Sequence, residues 1–257
     1  MKRILVLVAL LSVLIVRAEE GMWLPHLLGQ QKYAEMKAKG LKLTAEQLYS
    51  INKASIKDAI IIFGGGCTGE IVSNDGLIFT NHHCGYDAIA KASTIEHNYL
   101  ENGFYAKNHD EEIPAQGVTV QFLIRIDDVS KQVMDSMSKY PNWADWQKNK
   151  DSVFARIGRT SISDKNYEAR IYNCFKDNQF LMYTFERYKD VRLVGTPPQS
   201  IGKYGGDTDN WEWPRHTGDF SIFRVYTSKE GKSAEYNKNN VPLKPKYFLP
   251  ISLKGFK

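Results

Sequence analysis

After its first 16 residues the sequence has no apolar run long enough for a membrane-crossing helix, for which about 20 residues are needed, so further spanning helices are excluded. It has little excess charge of either sign. There are 34 Lys and Arg against 29 Asp and Glu; without Lys2, Arg3 and Arg17 the basic count is 31, and a balance so close gives no footing for nucleic acid. No C-x-x-C and no H-E-x-x-H element is present, which removes the spaced signatures of a metal centre. There is also no G-x-S-G, so no serine stands out as a nucleophile; Ser73 and Ser200 lack the glycine setting of an oxyanion hole. Repeats and low-complexity tracts are absent. With 42% apolar residues, 12% of the total being aromatic, a packed core is within reach and disorder is not the default.

What is there begins with MKRILVLVALLSVLIVRAEEG, a basic start, an apolar run from Ile4 to Val16, and small residues at Val16 and Ala18. This is the layout of a signal peptide over 1–18, with an uncleaved N-terminal anchor as the competing reading. Export to the periplasm or cell surface permits disulfides, and the three cysteines Cys67, Cys84 and Cys174 then read as one pair and a remainder.

From 24 to 51 apolar residues recur at helical spacing, and Thr44-Ala-Glu-Gln47 has the pattern of a capped start, predicting two short helices. β-Branched runs follow from Ala59. Asn74-Asp75-Gly76 between Gly69–Ser73 and Leu77–Thr80 predicts a hairpin whose turn takes positive φ at Asp and Gly. The part from Asp87 to about His109 is mixed and helical at its start. Val118–Val129 is a further strand, Ser130–Arg159 a helical insertion, and 167–196 a long hairpin turning at Lys176-Asp177-Asn178 and ended by Pro197-Pro198. The stretch IGKYGGDTDNWEWPRHTGDF reads as a loop, chemically too loaded to be a spacer. Phe220–Ser228 is a strand, and PKYFLPISLKGFK begins another.

The densest chemistry lies in Gly64-Gly-Gly-Cys67, the hairpin, and Thr80-Asn-His-His-Cys84. A histidine at a strand end suits a general base, and Cys67 and Cys84, lying just outside the paired strands, are placed to bridge and stiffen it. Two other readings compete: zinc held by His82, His83, Cys84 and Asp87, opposed by the opposite facing of neighbouring residues on an extended chain, and a purely structural histidine pair.

Glu20-Gly-Met-Trp23, His82-His-Cys-Gly-Tyr86 and N-W-x-W-P-R-H-T-G-D-F from Asn210 to Phe220 resemble one branch of the chymotrypsin-like peptidases, the bacterial dipeptidyl-peptidase 7 and dipeptidyl-peptidase 11 family. The resemblance runs over nearly the whole chain after the signal segment. It implies a mainly β fold with helical additions: a trypsin-like antiparallel β-barrel, the first half of a double-barrel peptidase, over 19–257 with a helical insertion near 130–160. It places the general base on His83 and the orienting carboxylate on Asp219, and it gives Asn210 and Trp211 a part in holding the substrate's free amino terminus. Arg215 and His216 are assigned no more than bracing of their loop. No metal or other cofactor is implied. The implied partners are peptides with a free amino terminus; a homodimer of the full-length enzyme is compatible with it, and a membrane span after signal removal is not expected.

The family pattern continues well past residue 257, where its nucleophilic serine lies. The expectation is a fragment of a serine dipeptidyl-peptidase, inactive by itself. The rival readings are an exported trypsin-like endopeptidase and a non-catalytic exported remnant.

Overall fold

The structure is a computed structural model and describes residues 23–255. The expected signal peptide lies outside the described residues. Two compact units divide at Ala45 and Glu46.

In the first unit a turn at Pro25–Leu27 leads into α1 (Leu28–Gln31) and α2 (Tyr33–Ala38). The end of α2 is set by Gly40, whose φ of 101° is open to glycine at little cost. Gly40 N–H donates to Lys37 O and Leu41 N–H to Met36 O, the paired bonds of a Schellman ending. A further short helix, α3 (Ala45–Leu48), begins at the last residue of this unit and belongs otherwise to the second.

The second unit is built on an antiparallel sheet. Its strands are β1 (Ile60–Phe63), β2 (Cys67–Ile71), β3 (Leu77–Thr80), β4 (Phe104–Tyr105), β5 (Ile113–Pro114), β6 (Val120–Asp128), β7 (Tyr167–Cys174), β8 (Gln179–Tyr188), β9 (Asp190–Thr196), β10 (Ser221–Thr227) and β11 (Val241–Pro242). The pairings run β6-β1-β2-β3-β10-β9. Only Lys189 separates β8 from β9, and β8 pairs with β6 while β5 pairs with β9. The bent β8–β9 run therefore joins the first strand of that series to the last, which closes a six-stranded barrel, with β4, β5 and β7 pairing outside the ring.

Period-2 alternation fills the barrel. Ile61, Phe63, Ile71, Ile78, Val120, Val191, Leu193, Phe223 and Val225 are buried together. Each such side chain contributes about 1.5–3 kcal/mol by leaving water. Helices α6 (Ser130–Met137) and α7 (Trp143–Ser161), numbered after α4 (His82–Ala92) and α5 (Tyr99–Asn102), pack on the part of the β7–β8 hairpin that projects from the barrel. Trp146, Val153 and Ile157 of α7 meet Phe180 and Met182 of β8 in a second apolar cluster. Asn142 caps α7 by accepting from Asp145 N–H at 3.0 Å. The fold is thus mainly antiparallel β with helical additions.

Four local expectations are corrected. In the β2–β3 connection only Gly76 has positive φ (74°), because Ser73 Oγ bonds the Asp75 carboxylate and accepts from Leu77 N–H, giving a wider turn than Asp-Gly alone. His82 and His83 sit in the first turn of α4, not at a strand end. Part of the loaded loop is helical, in α8 (Gln199–Gly202), which begins just before it, and α9 (Gly206–Trp211). The described part of the tail forms no strand beyond β11; Pro245 and Pro250 lack the N–H that a ladder requires, and Leu249 N–H bonds Ile71 O singly.

Candidate active site

The register of β3 with β10 brings the site together. Ser221 pairs with Thr80, so Asp219, two residues before Ser221, lies beside the residues that follow Thr80. Helix α4 begins there and runs close over β10. A Cβ on Gly85 would stand 2.6 Å from Ser221 Oγ and 3.0 Å from the Phe223 ring, so glycine is what permits this approach. Ser221 Oγ in turn donates to Asn81 O at 2.8 Å. Cys84, in the same first turn, is bonded to Cys67 at the start of β2. Cys174 is a free thiol, half-buried, its pKa raised by burial.

His83 and Asp219 are in contact. The imidazole Nδ1 lies 2.7 Å from Asp219 Oδ2, and the His83 backbone N–H donates to Oδ1 at 3.0 Å. Asn81 Nδ2 and Asn210 Nδ2 each donate to Oδ2 at 3.2 Å. Asn81 occupies the N-cap position of α4, yet its side chain makes no cap bond. The Asp219 carboxylate takes that part, accepting a first-turn amide where a helix dipole favours negative charge. One carboxylate therefore caps the helix and orients the ring it carries. The Asp219 side chain is 7% exposed and that of His83 47%. Burial pushes the Asp219 carboxyl up, but the His83 amide, the His83 imidazole and the Asn210 amide together outweigh it and hold it below the ordinary carboxylate value. With Nδ1–H given to a carboxylate, the second ring nitrogen, Nε2, is left to accept a proton.

A cleft of ≈ 220 Å³ opens on this pair, lined among others by Lys203, Asp207, Asn210 and Trp211. Trp211 is 67% exposed and Trp213 90%, so neither is a core aromatic. Arg215 and His216 are exposed, and His216 N–H bonds Asp209 O within the loop. Asn81 and Ser221 had not been singled out in the sequence. Asn81 stood inside the T-N-H-H-C motif, but its bond to Asp219 follows from strand register, which no local pattern displays. A ring nitrogen of His83 and the sulfurs of Cys67 and Cys84 lie within 4.8 Å of one another. Both sulfurs are spent in the disulfide, which leaves one donor nitrogen and does not fit a metal. His82, the other histidine of the zinc reading, is wholly buried. Ser73 lies in the β2–β3 turn, at the far end of β3 from His83.

A closed antiparallel barrel carrying a histidine–carboxylate pair at the mouth of two adjacent strands is the architecture of the trypsin-like peptidases. Within that class the chain belongs to the peptidase S46 family, whose pattern covers residues 18–257. It is 51% identical over 247 residues to an Asp/Glu-specific dipeptidyl-peptidase of Porphyromonas gingivalis, spanning 94% of this chain and 34% of that protein. It is 46% identical over 241 residues to dipeptidyl-peptidase 7 of Capnocytophaga gingivalis, spanning 94% and 34%. Crystal structures of Porphyromonas endodontalis DPP11, one in complex with the dipeptide Arg-Glu, superpose with a TM-score of 0.85 at 42% identity, covering 93% of this chain and 35% of that one. The chain spans about a third of the length of the curated relatives it matches. No helix among the described residues is long and apolar enough to cross a membrane.

Proposed function

We propose that this chain supplies the base half of a serine-type dipeptidyl-peptidase, an exported enzyme that removes dipeptides from the free amino termini of peptides. The observation that carries the reading is the 2.7 Å contact between His83 Nδ1 and an Asp219 carboxylate held by three further hydrogen bonds. His83 Nε2 takes the proton of a serine hydroxyl as it attacks the scissile carbonyl and returns it to the leaving amine; Asp219 keeps the ring in one tautomer and stabilises the imidazolium. The serine comes from outside residues 1–257.

Asn210 links chemistry to recognition. Its Nδ2 is committed to Asp219, which leaves Oδ1 to accept from the substrate ammonium beside the Trp211 carbonyl. Measuring two residues from a charged amine is what distinguishes this reading from an endopeptidase. The Cys67–Cys84 bond agrees with an oxidising compartment reached through the 1–18 segment. A homodimer of the complete enzyme stays an expectation of the resemblance.

The test is complementation in trans. The 257-residue protein is mixed with the purified remaining two-thirds of a dipeptidyl-peptidase relative and given fluorogenic dipeptide substrates. Release is expected from the mixture only, abolished by His83→Ala and by acetylating the substrate amine. Release that survives His83→Ala, or that is indifferent to acetylation, would contradict it.

A further inference from the structure

His82 adjoins His83 in the first turn of α4, yet the proposed chemistry leaves it unused. Its side chain is wholly buried. The Thr196 hydroxyl donates to Pro197 O at 3.1 Å, so its oxygen has a lone pair for His82 Nδ1, 3.2 Å away. Nδ1 must then carry the proton and Nε2 the lone pair, and Nε2 has no protein partner among the described residues. Burial is the first cause that lowers the His82 pKa, which agrees with a ring kept neutral.

The ring also has a face. Gly202 lies flat against it: a Cβ there would stand 2.6 Å from His82 Cγ and 2.7 Å from Nδ1. One turn further along α4, Tyr86 meets the His82 ring edge-on, and Lys203 Nζ sits 4.9 Å from the Tyr86 ring centroid. Two successive residues of the 197–219 segment, Gly202 and Lys203, therefore rest on two residues one helical turn apart. The other end of that segment is Asp219, bonded to His83. Gly218 N–H to Ile201 O at 3.0 Å draws the two ends together.

We propose that the adjacent histidines form a clasp: His83 holds the Asp219 end of the segment, and His82 is a positioning residue that holds its Thr196–Gly202 end, so that Asn210 and Trp211 are presented at a set distance from the base. The clasp rests on the reading of Asn210 and Trp211 as the amine-holding residues, and it accounts for glycine at 202, where any side chain would displace the ring or the segment. It calls for an uncharged His82, because a second ring proton would face a buried site with no acceptor.

The experiment uses the 257-residue protein labelled with ¹⁵N, with His82→Ala, His82→Asn and Gly202→Ala, the last approaching the same contact from the opposite side. His82→Ala and Gly202→Ala are expected to displace the amide signals of 199–211 and the Trp211 indole signal while the low-field His83 Nδ1–H signal is retained. His82→Asn, whose side-chain amide can still donate to Thr196, is expected to restore part of the displacement. Changes confined to 196–198, or loss of the His83 signal together with the segment's, would overturn the clasp. These signals are read without substrate, so they answer for the clasp even where complementation yields no dipeptide release.

Discussion

The side chain on which most depends is Asp219, since one carboxylate accepts from a backbone amide, an imidazole and two asparagine amides. Such a cage restricts its rotation more than a surface ion pair would, and rigidity is what a tautomer-fixing group needs. The neighbouring His82 shows the opposite electrostatics. Burial first, then repulsion from Lys203 and His83, lower its pKa from the ordinary value of 6.5, with Asp219 partly offsetting them. In the unfolded chain His82 titrates near that ordinary value, so as pH falls below it the unfolded state binds a proton that the folded state resists. The stability His82 confers is therefore fully present above about pH 6.5 and is lost as pH falls toward the lowered value. Urea midpoints at about pH 7.5 and 5.5 should show a fall in the unsubstituted protein that His82→Asn reduces; equal falls in the two would refute it.

At the level of elements, the disulfide ties the first turn of α4 to β2 across a separation of 17 residues. Loop entropy gives such a closure about 3 kcal/mol. Replacing Cys67 and Cys84 together by Ser should lower the unfolding free energy by about that amount in urea titrations, whereas unchanged stability would show that the bond constrains nothing. The β2–β3 hairpin, the 120–128 strand and the β7–β8 hairpin were legible in the sequence because period-2 alternation and turn residues report them directly; the second arm of the expected 167–196 hairpin instead divides at Lys189, and β9 pairs with β10. Helix α4 was not. His-His-Cys-Gly opens it with poor helix formers, and what supports it is tertiary: the Asp219 cap, the disulfide and the close seat of Gly85 on β10. Helices α8 and α9, of four and six residues, are too short for periodicity to show. Pairing of His83 with Asp219 was expected from the resemblance of two motifs 136 residues apart; the bonds to Asn81 and Asn210 depend on the Ser221–Thr80 register and had no local signature.

Across the barrel, a second group of buried charged side chains lies away from the cleft. At the other end of β10, Glu112 accepts from Arg224 Nε and Tyr226 Oη, Arg224 also meets Asp75, and Arg192 pairs with Asp190 beneath the Tyr226 ring. These charges lie on β9, β10 and the segments that flank them. Each is paired, as buried charges must be, and together they fix the register that delivers Asp219 to α4. Strand register thus joins a scaffold at one end of the barrel to the His83–Asp219 pair at the other. What the whole molecule offers is a prepared imidazole at an open cleft. The most direct test is ¹⁵N NMR of the histidines in the intact 257-residue protein. His83 should carry its proton on Nδ1, with a low-field signal that Asp219→Asn abolishes; a His83 protonated on Nε2, or a signal indifferent to that substitution, would contradict the account.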